Sequence, residues 1–246
     1  MTKRFLAEAG ISRGMRAIEI GCGGGEVTQL LAELVGPSGA VVAVDCNLEF
    51  LAIARKRMEE HQLNNVQFVP ADVAGDLSEL GSLRRESYDA LAGRRVLMYL
   101  PDPAEVLRRL SAWLRRDALV VFEETDSTVI PARLEPRPGH DRALGWLRQM
   151  LVAERANTSM GFCLPATLDR AGLRFERVRA EAVIEGQGSQ YPLAQLLRLM
   201  QARVVAAGIA TESELTSLAA QLDEESRAPT SVYVSAMSFC AWARKP

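Results

Sequence analysis

Apolar residues along the first half of the chain follow two alternating periodicities. Short uninterrupted apolar runs, such as Ala40 to Val44, are typical of strands that are buried on both faces of a sheet. Between these runs lie segments such as Glu26 to Val35, in which apolar residues recur on one helical face. Strands that alternate with helices predict βαβ units, a parallel sheet and right-handed crossovers over residues 12–125.

The predicted elements of this first half follow one another in strict order. The strands are predicted at 15–20, 40–44, 66–69, 88–91 and 118–122, and the helices at 26–35, 48–62 and 103–114 after a helix end within 3–10. The segment Gly36-Pro37-Ser38-Gly39 predicts a stop and a turn between the first helix and the second strand.

The second half of the chain carries a less regular pattern. Helices are predicted at 141–155, 165–171, 193–207 and 211–222, and strands at 175–184 and 231–243. The segment Arg137-Pro138-Gly139 breaks the chain ahead of the first of these helices, and the residues from Pro131 to Pro138 predict a mobile loop.

Length, composition and charge narrow the class of protein. The chain has 246 residues, of which 48% are apolar, which is enough for the core of one α/β domain over residues 1–246. Its first residues have no apolar segment typical of a secretory signal, and no apolar run is long enough to span a membrane. The net charge of −2 argues against a sequence-independent grip on nucleic-acid phosphates.

The four cysteines do not have the spacing of a zinc site. With no secretory signal, a disulfide framework is not expected, and we expect four buried thiols in a cytoplasmic protein that holds no metal.

Three alternating glycines, Gly21, Gly23 and Gly25, stand between the first strand and the first long helix. A P-loop requires a Lys-Ser or Lys-Thr pair after its last glycine, and that pair is absent here. A dinucleotide fingerprint requires a third glycine at position 26, but that residue is Glu26, whose carboxylate would repel a pyrophosphate at the helix N-terminus. Neither phosphate-binding motif therefore fits the loop.

Acidic residues stand at the ends of three successive predicted strands. Glu19 precedes the glycines and suits a cationic ligand, whereas Asp45 ends the second strand, where a carboxylate can accept hydrogen bonds from ribose hydroxyls. Asp72 follows the third strand and could reach an adenine amino group. Open α/β sheets bind ligands at the carboxyl ends of their strands, so these three residues indicate a ligand site at that edge of the sheet.

These segments together resemble the class I S-adenosylmethionine-dependent methyltransferases over nearly the whole chain. The stretch AIEIGCGGGEVTQLLAELVGPSGAVVAVD is similar to the first two motifs of that family, and VQFVPADV is similar to the third. YDALAGRRVLMYLPDPAEVLRRLSAWLRRDALVVFEE resembles the fourth strand, the next helix and the fifth strand, and SAMSFCAWARKP resembles the last strand. The resemblance implies a doubly wound, mostly parallel seven-stranded α/β sheet with an antiparallel last strand and helical insertions after strands 5 and 6.

The same resemblance implies a cofactor, S-adenosylmethionine, and the residues that hold it. Glu19 and the backbone of the glycine loop would hold the methionine part, Asp45 the ribose, and Asp72 with Val73 the adenine. Arg95 would contact the cofactor through its backbone. The full candidate set is Glu19, Gly21, Cys22, Gly23, Gly25, Asp45, Cys46, Asn47, Asp72, Val73 and Arg95.

Candidates for contact with the methyl acceptor come from the segments after the fourth and fifth strands. They are His140 in a predicted turn, Tyr99, and Glu124 from the run that also holds Glu123 and Asp126. Each has a structural alternative, namely a surface-loop histidine, a packed tyrosine and a turn carboxylate. Many members of the family have a histidine where this chain has Tyr99, so no histidine role carries over to that position.

The acceptor side of the protein is expected in residues 126–246, where helical segments carry large apolar side chains. These are Trp146, Met150, Met160, Phe162, Tyr191 and Met200, and they suit an apolar pocket, with core packing as the alternative. The interpretation is a methyltransferase that acts on O, N or C of a small organic molecule in specialised metabolism. The alternatives are a protein or tRNA methyltransferase and a non-catalytic cofactor-binding partner subunit. Because only residues 1–11 precede the first strand segment, we expect a homodimer in which one chain helps to cover the other's cofactor.

Overall fold

The computed structural model of the protein describes residues 1–129, 136–185, 193–227 and 233–246. Tyr191, residues 131–135 of the predicted loop and the first two residues of the predicted last strand lie outside this part of the chain.

The strands of the described residues are β1 (Arg16–Ile20), β2 (Ala40–Asp45), β3 (Val66–Pro70), β4 (Tyr88–Arg94), β5 (Leu114–Asp126), β6 (Arg174–Glu181), β7 (Ile184–Glu185), β8 (Tyr233–Val234) and β9 (Met237–Arg244). Seven of them form the main sheet, in the order β3-β2-β1-β4-β5-β9-β6. The pairs β1–β2, β1–β4, β2–β3 and β4–β5 are all parallel. The predicted fold, a mostly parallel seven-stranded α/β sheet with an antiparallel last strand, is confirmed.

The described residues also form nine α-helices. They are α1 (Thr2–Ala9), α2 (Glu26–Val35), α3 (Leu48–Glu60), α4 (Pro103–Leu110), α5 (Pro138–Ala153), α6 (Met160–Arg170), α7 (Leu193–Leu199), α8 (Gln201–Ala206) and α9 (Glu212–Glu225). Local signals explain several of their bounds. The Asp102 side chain accepts a hydrogen bond from the Glu105 N–H at the start of α4, and Pro103 occupies a first-turn position where its missing N–H costs nothing.

The first compact unit contains Met1–Glu124, Met160–Arg179 and Phe239–Pro246. One apolar core joins α1 and α2 to the sheet, and it includes the fully buried side chains of Phe5, Leu31 and Leu119. Because β1, β2 and β4 are parallel neighbours, their carboxyl ends lie at one edge of the sheet. The glycine loop and the predicted acidic residues lie at this edge.

The second compact unit contains Thr125–Ser159 and Ala180–Ser238. Helices α5, α7, α8 and α9 of this unit pack round a core in which Leu197, Val204 and Leu222 are fully buried. Strands β7 and β8 pair with each other as a separate antiparallel sheet. The organisation of residues 1–246 as a single domain stays a prediction.

Several predicted bounds in the second half were wrong. The strand predicted at 231–243 is divided into β8 and β9, and the strand predicted at 175–184 is divided into β6 and β7. The reason is a tertiary contact: Ser235 N–H donates to Val183 O over 2.8 Å, and Val183 N–H donates to Ser235 Oγ over 2.9 Å. The short strands are thereby tied to each other and do not extend the main sheet.

Two helix predictions were also wrong in their bounds. The helix predicted at 193–207 is interrupted at Met200, whose φ of −91° and ψ of 0° lie outside regular α geometry. The helix predicted at 165–171 begins at Met160, five positions before Pro165, which lies inside it. A proline inside a helix removes one backbone donor, and this helix tolerates that loss.

The described residues contain no helix that is long and apolar enough to cross a membrane. The expectation of four buried thiols was wrong, because Cys46 is exposed and Cys163 is only partly buried. Cys22 and Cys240 are buried as expected, and burial raises the pKa of both thiols.

Candidate functional site

The glycine loop after β1 is held in a left-handed backbone conformation that favours glycine. The φ angles of Gly21, Gly23 and Gly25 are +65°, +51° and +80°. A Cβ on Gly21 would lie 2.5 Å from Val96 Cγ2, and one on Gly25 would lie 2.9 Å from Ala54 Cβ. A Cβ on Gly23 would meet no atom of the described residues within 4 Å. The loop is therefore packed tightly on two sides and open at Gly23, as a backbone cradle for a ligand requires.

Asp45 lies directly beside this loop. Its Oδ2 accepts a hydrogen bond from Gly23 N–H over 2.8 Å, and its Oδ1 accepts one from Asn47 N–H over 2.9 Å. The half-buried carboxylate thus links the end of β2 to the glycine loop and to the start of α3. Two residues predicted to share one ligand, Gly23 and Asp45, are brought together.

Glu19 is a buried carboxyl group near the end of β1, with 1% of its surface exposed. The Thr28 hydroxyl donates a hydrogen bond to its Oε2 over 2.6 Å. Burial raises the pKa of Glu19 to about 7, although the Thr28 hydrogen bond and the charge of Arg94 oppose the shift. A cation brought to this site would favour the ionised form.

The predicted adenosine side of the site contains residues with clear local roles. Asn47 Oδ1 accepts hydrogen bonds from Glu49 N–H and Phe50 N–H and so caps α3. Asp72 is exposed and its Oδ1 accepts one from Ala74 N–H over 2.9 Å, while its neighbour Val73 is buried.

The exposed Cys46 connects the two predicted acids of this side. Burial and then the negative charges of Asp45 and Asp72 raise the pKa of its thiol. The carboxylates at the ends of β2 and β3 therefore lie close enough to act on one side chain.

Arg94, at the end of β4, was not among the predicted site residues. It forms an ion pair with Glu26, at the N-terminus of α2, and its Nη1 donates to Thr2 Oγ1 over 3.4 Å. Burial alone would raise the pKa of Glu26, but the hydrogen bond and charge of Arg94 hold it below its ordinary value. An arginine at a strand end and an acid at a helix start were both visible in the sequence, but their proximity depends on the fold.

Arg95, which was predicted, adopts a left-handed φ of +54°. Its backbone N–H donates to Glu123 O over 2.9 Å and so joins the end of β4 to β5. Its proposed backbone contact with a cofactor stays a prediction.

Glu124, near the end of β5, is fully buried. Its Oε1 accepts hydrogen bonds from Val96 N–H over 3.0 Å and Leu97 N–H over 2.8 Å. Its Oε2 has no hydrogen-bond partner in the described part of the chain. Burial raises the pKa of Glu124 to about 7, although its backbone hydrogen bonds and the charge of Arg95 oppose the shift.

Tyr99 lies at the end of a short 3-10 helix, Leu97–Tyr99, that begins beside Glu124. With 42% of its surface exposed, Tyr99 is not a core tyrosine. The packing alternative is therefore unsupported, and a contact with an acceptor stays a prediction.

His140 was expected in a turn or surface loop, and this prediction was wrong. It lies in the first turn of α5, is fully buried, and packs edge-to-face on Tyr233 with ring centroids 4.2 Å apart. The N–H groups of Gly139 and His140 donate to the carboxylate of Glu225. Pro138 starts this helix, so the predicted break is a helix N-terminus held by a carboxylate from α9.

The large apolar side chains of the predicted acceptor region divide by burial. Met150 and Met160 are buried in their cores, and Trp146 and Met200 are half-buried against the helical core of the second unit. Phe162 is 58% exposed and packs on Phe239 with ring centroids 4.6 Å apart. Core packing therefore accounts for most of this set, and the apolar pocket stays a prediction.

Comparisons with known proteins agree on one family. The family model described as "Methyltransferase domain" matches residues 11–164. The chain is 30% identical over 105 residues to malonyl-(acyl-carrier protein) O-methyltransferase of Halalkalibacterium halodurans, covering 43% of this chain and 37% of that protein. It is 26% identical over 117 residues to ubiquinone biosynthesis O-methyltransferase of Actinobacillus pleuropneumoniae, covering 47% of this chain and 48% of that protein. The chain thus spans less than half the length of either relative.

The solved structure of a putative methyltransferase from Bacillus halodurans has a similar fold. It matches with a TM-score of 0.63 and 16% identity, covering 100% of this chain and 98% of that chain. At this identity the match concerns the fold alone.

Proposed function

This chain belongs to the class I S-adenosylmethionine-dependent methyltransferases, and on that basis we propose that it transfers a methyl group to a small organic acceptor. The observation that carries this proposal is the glycine loop, open at Gly23 and hydrogen-bonded there to Asp45. S-adenosylmethionine, the cofactor of this family, supplies a methyl group on a positively charged sulfur when bound.

The residues at this edge of the sheet suit the parts of that cofactor. Asp45 would accept hydrogen bonds from the ribose hydroxyls, and Asp72 with the buried Val73 would hold the adenine. Glu19 and the loop backbone would hold the methionine part, where an ionised Glu19 offsets positive charge. Cys46 and Asn47 would flank the adenosine, with Asn47 acting chiefly as the cap of α3.

The acceptor is proposed to be a small molecule rather than a macromolecule. The two curated relatives described above are named as O-methyltransferases, one for malonyl-(acyl-carrier protein) and one for ubiquinone biosynthesis. The net charge of −2 also argues against tRNA. We place the protein in the cytoplasm, in specialised metabolism, and as a homodimer; these parts of the proposal rest on the sequence alone.

The experiment that tests the cofactor site compares two exposed aspartates with the same local geometry. Asp72 Oδ1 accepts from the N–H two residues ahead over 2.9 Å, and Asp76 Oδ1 does so over 3.2 Å. We expect Asp72→Asn to weaken S-adenosylmethionine binding about tenfold, since it replaces a charged acceptor by a weaker neutral one. Asp76→Asn, the matched control, should leave binding unchanged. Equal effects of the two substitutions would contradict the site.

The acceptor class is tested by supplying the enzyme with methyl-labelled S-adenosylmethionine. A mixture of small organic compounds, a protein extract and bulk tRNA would each be offered in turn. Label in the small compounds supports the proposal, whereas label only in protein or tRNA would replace it by the corresponding alternative. Cofactor binding without label in any of the three would favour the non-catalytic partner subunit.

A further inference from the structure

Glu124 has two carboxylate oxygens in opposite situations. Oε1 is fixed by two backbone N–H groups, at 3.0 and 2.8 Å. Oε2 is equally buried, and no described donor meets it with hydrogen-bond geometry, although the backbone N–H of Met98 is a third group near enough to lower the pKa of this carboxyl. A buried acceptor without a donor is costly, so a native structure that retains one calls for an explanation. A carboxyl group with one oxygen fixed and the other unpaired leaves an acceptor for a donor that the described residues do not supply.

The fixed oxygen of Glu124, Oε1, is linked to the glycine loop through Val96. Val96, whose N–H binds Glu124, is also the residue that a Cβ on Gly21 would strike at 2.5 Å. One residue therefore contacts both the loop and the carboxyl group. Glu124 lies at the carboxyl end of β5, beside the carboxyl end of β4, and the ends of parallel strands are where an open α/β sheet binds its ligands.

We propose that the methyl acceptor presents an O–H or N–H group to Glu124 Oε2, which takes its proton during methyl transfer. The inference rests on the proposed function and narrows its substrate class to alcohols, phenols and amines. A carboxylate acceptor has no proton to give and would be repelled by an ionised Glu124.

The proposed step is balanced in atoms and electrons. A lone pair on the acceptor oxygen or nitrogen forms the new bond to the methyl carbon, the carbon–sulfur bond breaks, and its electron pair remains on sulfur. The acceptor proton passes to Glu124 Oε2. A general base works best when its pKa lies near the operating pH, and the pKa of Glu124 is about 7. The charged neighbour that acts on it is Arg95, which favours the ionised form.

A purely structural role would be to hold the 3-10 helix Leu97–Tyr99 against the end of β5. The two roles can be separated by Glu124→Gln, because the amide oxygen of glutamine can still accept both backbone hydrogen bonds but the side chain cannot take a proton. Glu59→Gln, an exposed residue of α3, removes one negative charge elsewhere and serves as the matched control.

In the test, the wild type and both variants are each incubated with methyl-labelled S-adenosylmethionine and one probe at a time. The probes are a phenol, an aliphatic alcohol, a primary amine, a carboxylic acid and a β-diketone. We expect label on oxygen or nitrogen of at least one of the first three probes. Glu124→Gln should slow that transfer by about 10²- to 10⁴-fold, the range of general-base catalysis. Its S-adenosylmethionine Kd should stay within about threefold of wild type, because the residue holds the acceptor rather than the cofactor.

A second measurement does not depend on turnover. Infrared difference spectra near neutral pH should show a protonated carboxyl band that Glu124→Gln removes and that shifts when the accepted probe binds with S-adenosylhomocysteine. The inference is overturned if Glu124→Gln transfers the methyl group at nearly the wild-type rate, or if that band does not respond to the probe. Label only on the carboxylic acid or the diketone carbon, or on none of the probes, also overturns it. If the wild type does not bind S-adenosylmethionine, the proposed function itself is overturned instead.

Discussion

The buried carboxyl group of Glu19 gives a quantitative prediction about stability and pH. Its pKa is raised from 4.5 to about 7 by burial, so the folded chain holds this proton more tightly than the unfolded chain does. The stability that protonated Glu19 contributes is therefore fully present below about pH 4.5 and is lost as the pH rises through about 7. A shift of this size corresponds to about 3 kcal/mol in the free energy of unfolding.

Glu19→Gln removes this titration while keeping a side chain of the same size that can still accept the Thr28 hydrogen bond. As the pH rises from about 5 to about 8, we expect the free energy of unfolding of the variant to increase relative to that of wild type by up to about 3 kcal/mol. The assay is urea denaturation of both proteins across this range. Subtracting one curve from the other removes the titrations that the two proteins share.

Glu33→Gln provides a control of opposite sign. The hydrogen bond from Lys3 Nζ, at 2.7 Å, leads the causes that lower the pKa of Glu33, so this group stabilises the fold above its unfolded pKa. The free energy of unfolding of Glu33→Gln should therefore fall relative to that of wild type as the pH rises. A difference between Glu19→Gln and wild type that does not change with pH would refute the reasoning, because it would mean that Glu19 titrates normally in the folded chain.

Three further predictions test local features. Gly21→Ala should lower the free energy of unfolding by more than about 2 kcal/mol, because its Cβ would lie 2.5 Å from Val96 in addition to the left-handed strain. Gly172→Ala, where φ is +76° and no described atom lies within 4 Å, should lower it by only about 1 kcal/mol in the same urea denaturation assay. Arg94→Ala should lower the free energy of unfolding by less than about 1 kcal/mol, because its ion pair with Glu26 is partly exposed. At low salt, the double variant Arg94→Glu with Glu26→Arg should recover that stability. Thr211→Ala removes the capping box of α9 and should cost about 1 kcal/mol in the same assay; no change would contradict the capping role.

The sequence was most informative where local signals agreed with one another. The predicted helix 26–35 has the observed bounds of α2, because an apolar stripe is bounded by glycines at both ends. The strand predicted at 40–44 extends by a single residue, Asp45. The second half was less predictable since its short strands β7 and β8 exist through pairing with each other, and no local pattern records that pairing.

In the candidate site, too, some residues could be predicted from the sequence and some contacts could not. Acidic residues at successive strand ends could be predicted, because parallel strands place their carboxyl ends at one edge. The fixed Oε1 of Glu124 and the Arg94–Glu26 ion pair could not, since both depend on how the turn after β4 folds back on its neighbours. His140 failed as an acceptor-loop residue because Pro138, read as a breaker, instead begins a helix.

The central claim is that the edge of the sheet formed by the glycine loop and Asp45 binds S-adenosylmethionine. Isothermal titration of the cofactor into the full chain tests it most directly, with Asp45→Ala as the variant and Asp169→Ala, on the exposed surface of α6, as the control. We expect saturable binding to one site, weakened at least about tenfold by the first substitution and unchanged by the second. No binding by the wild type, or the same affinity in Asp45→Ala, would contradict the claim.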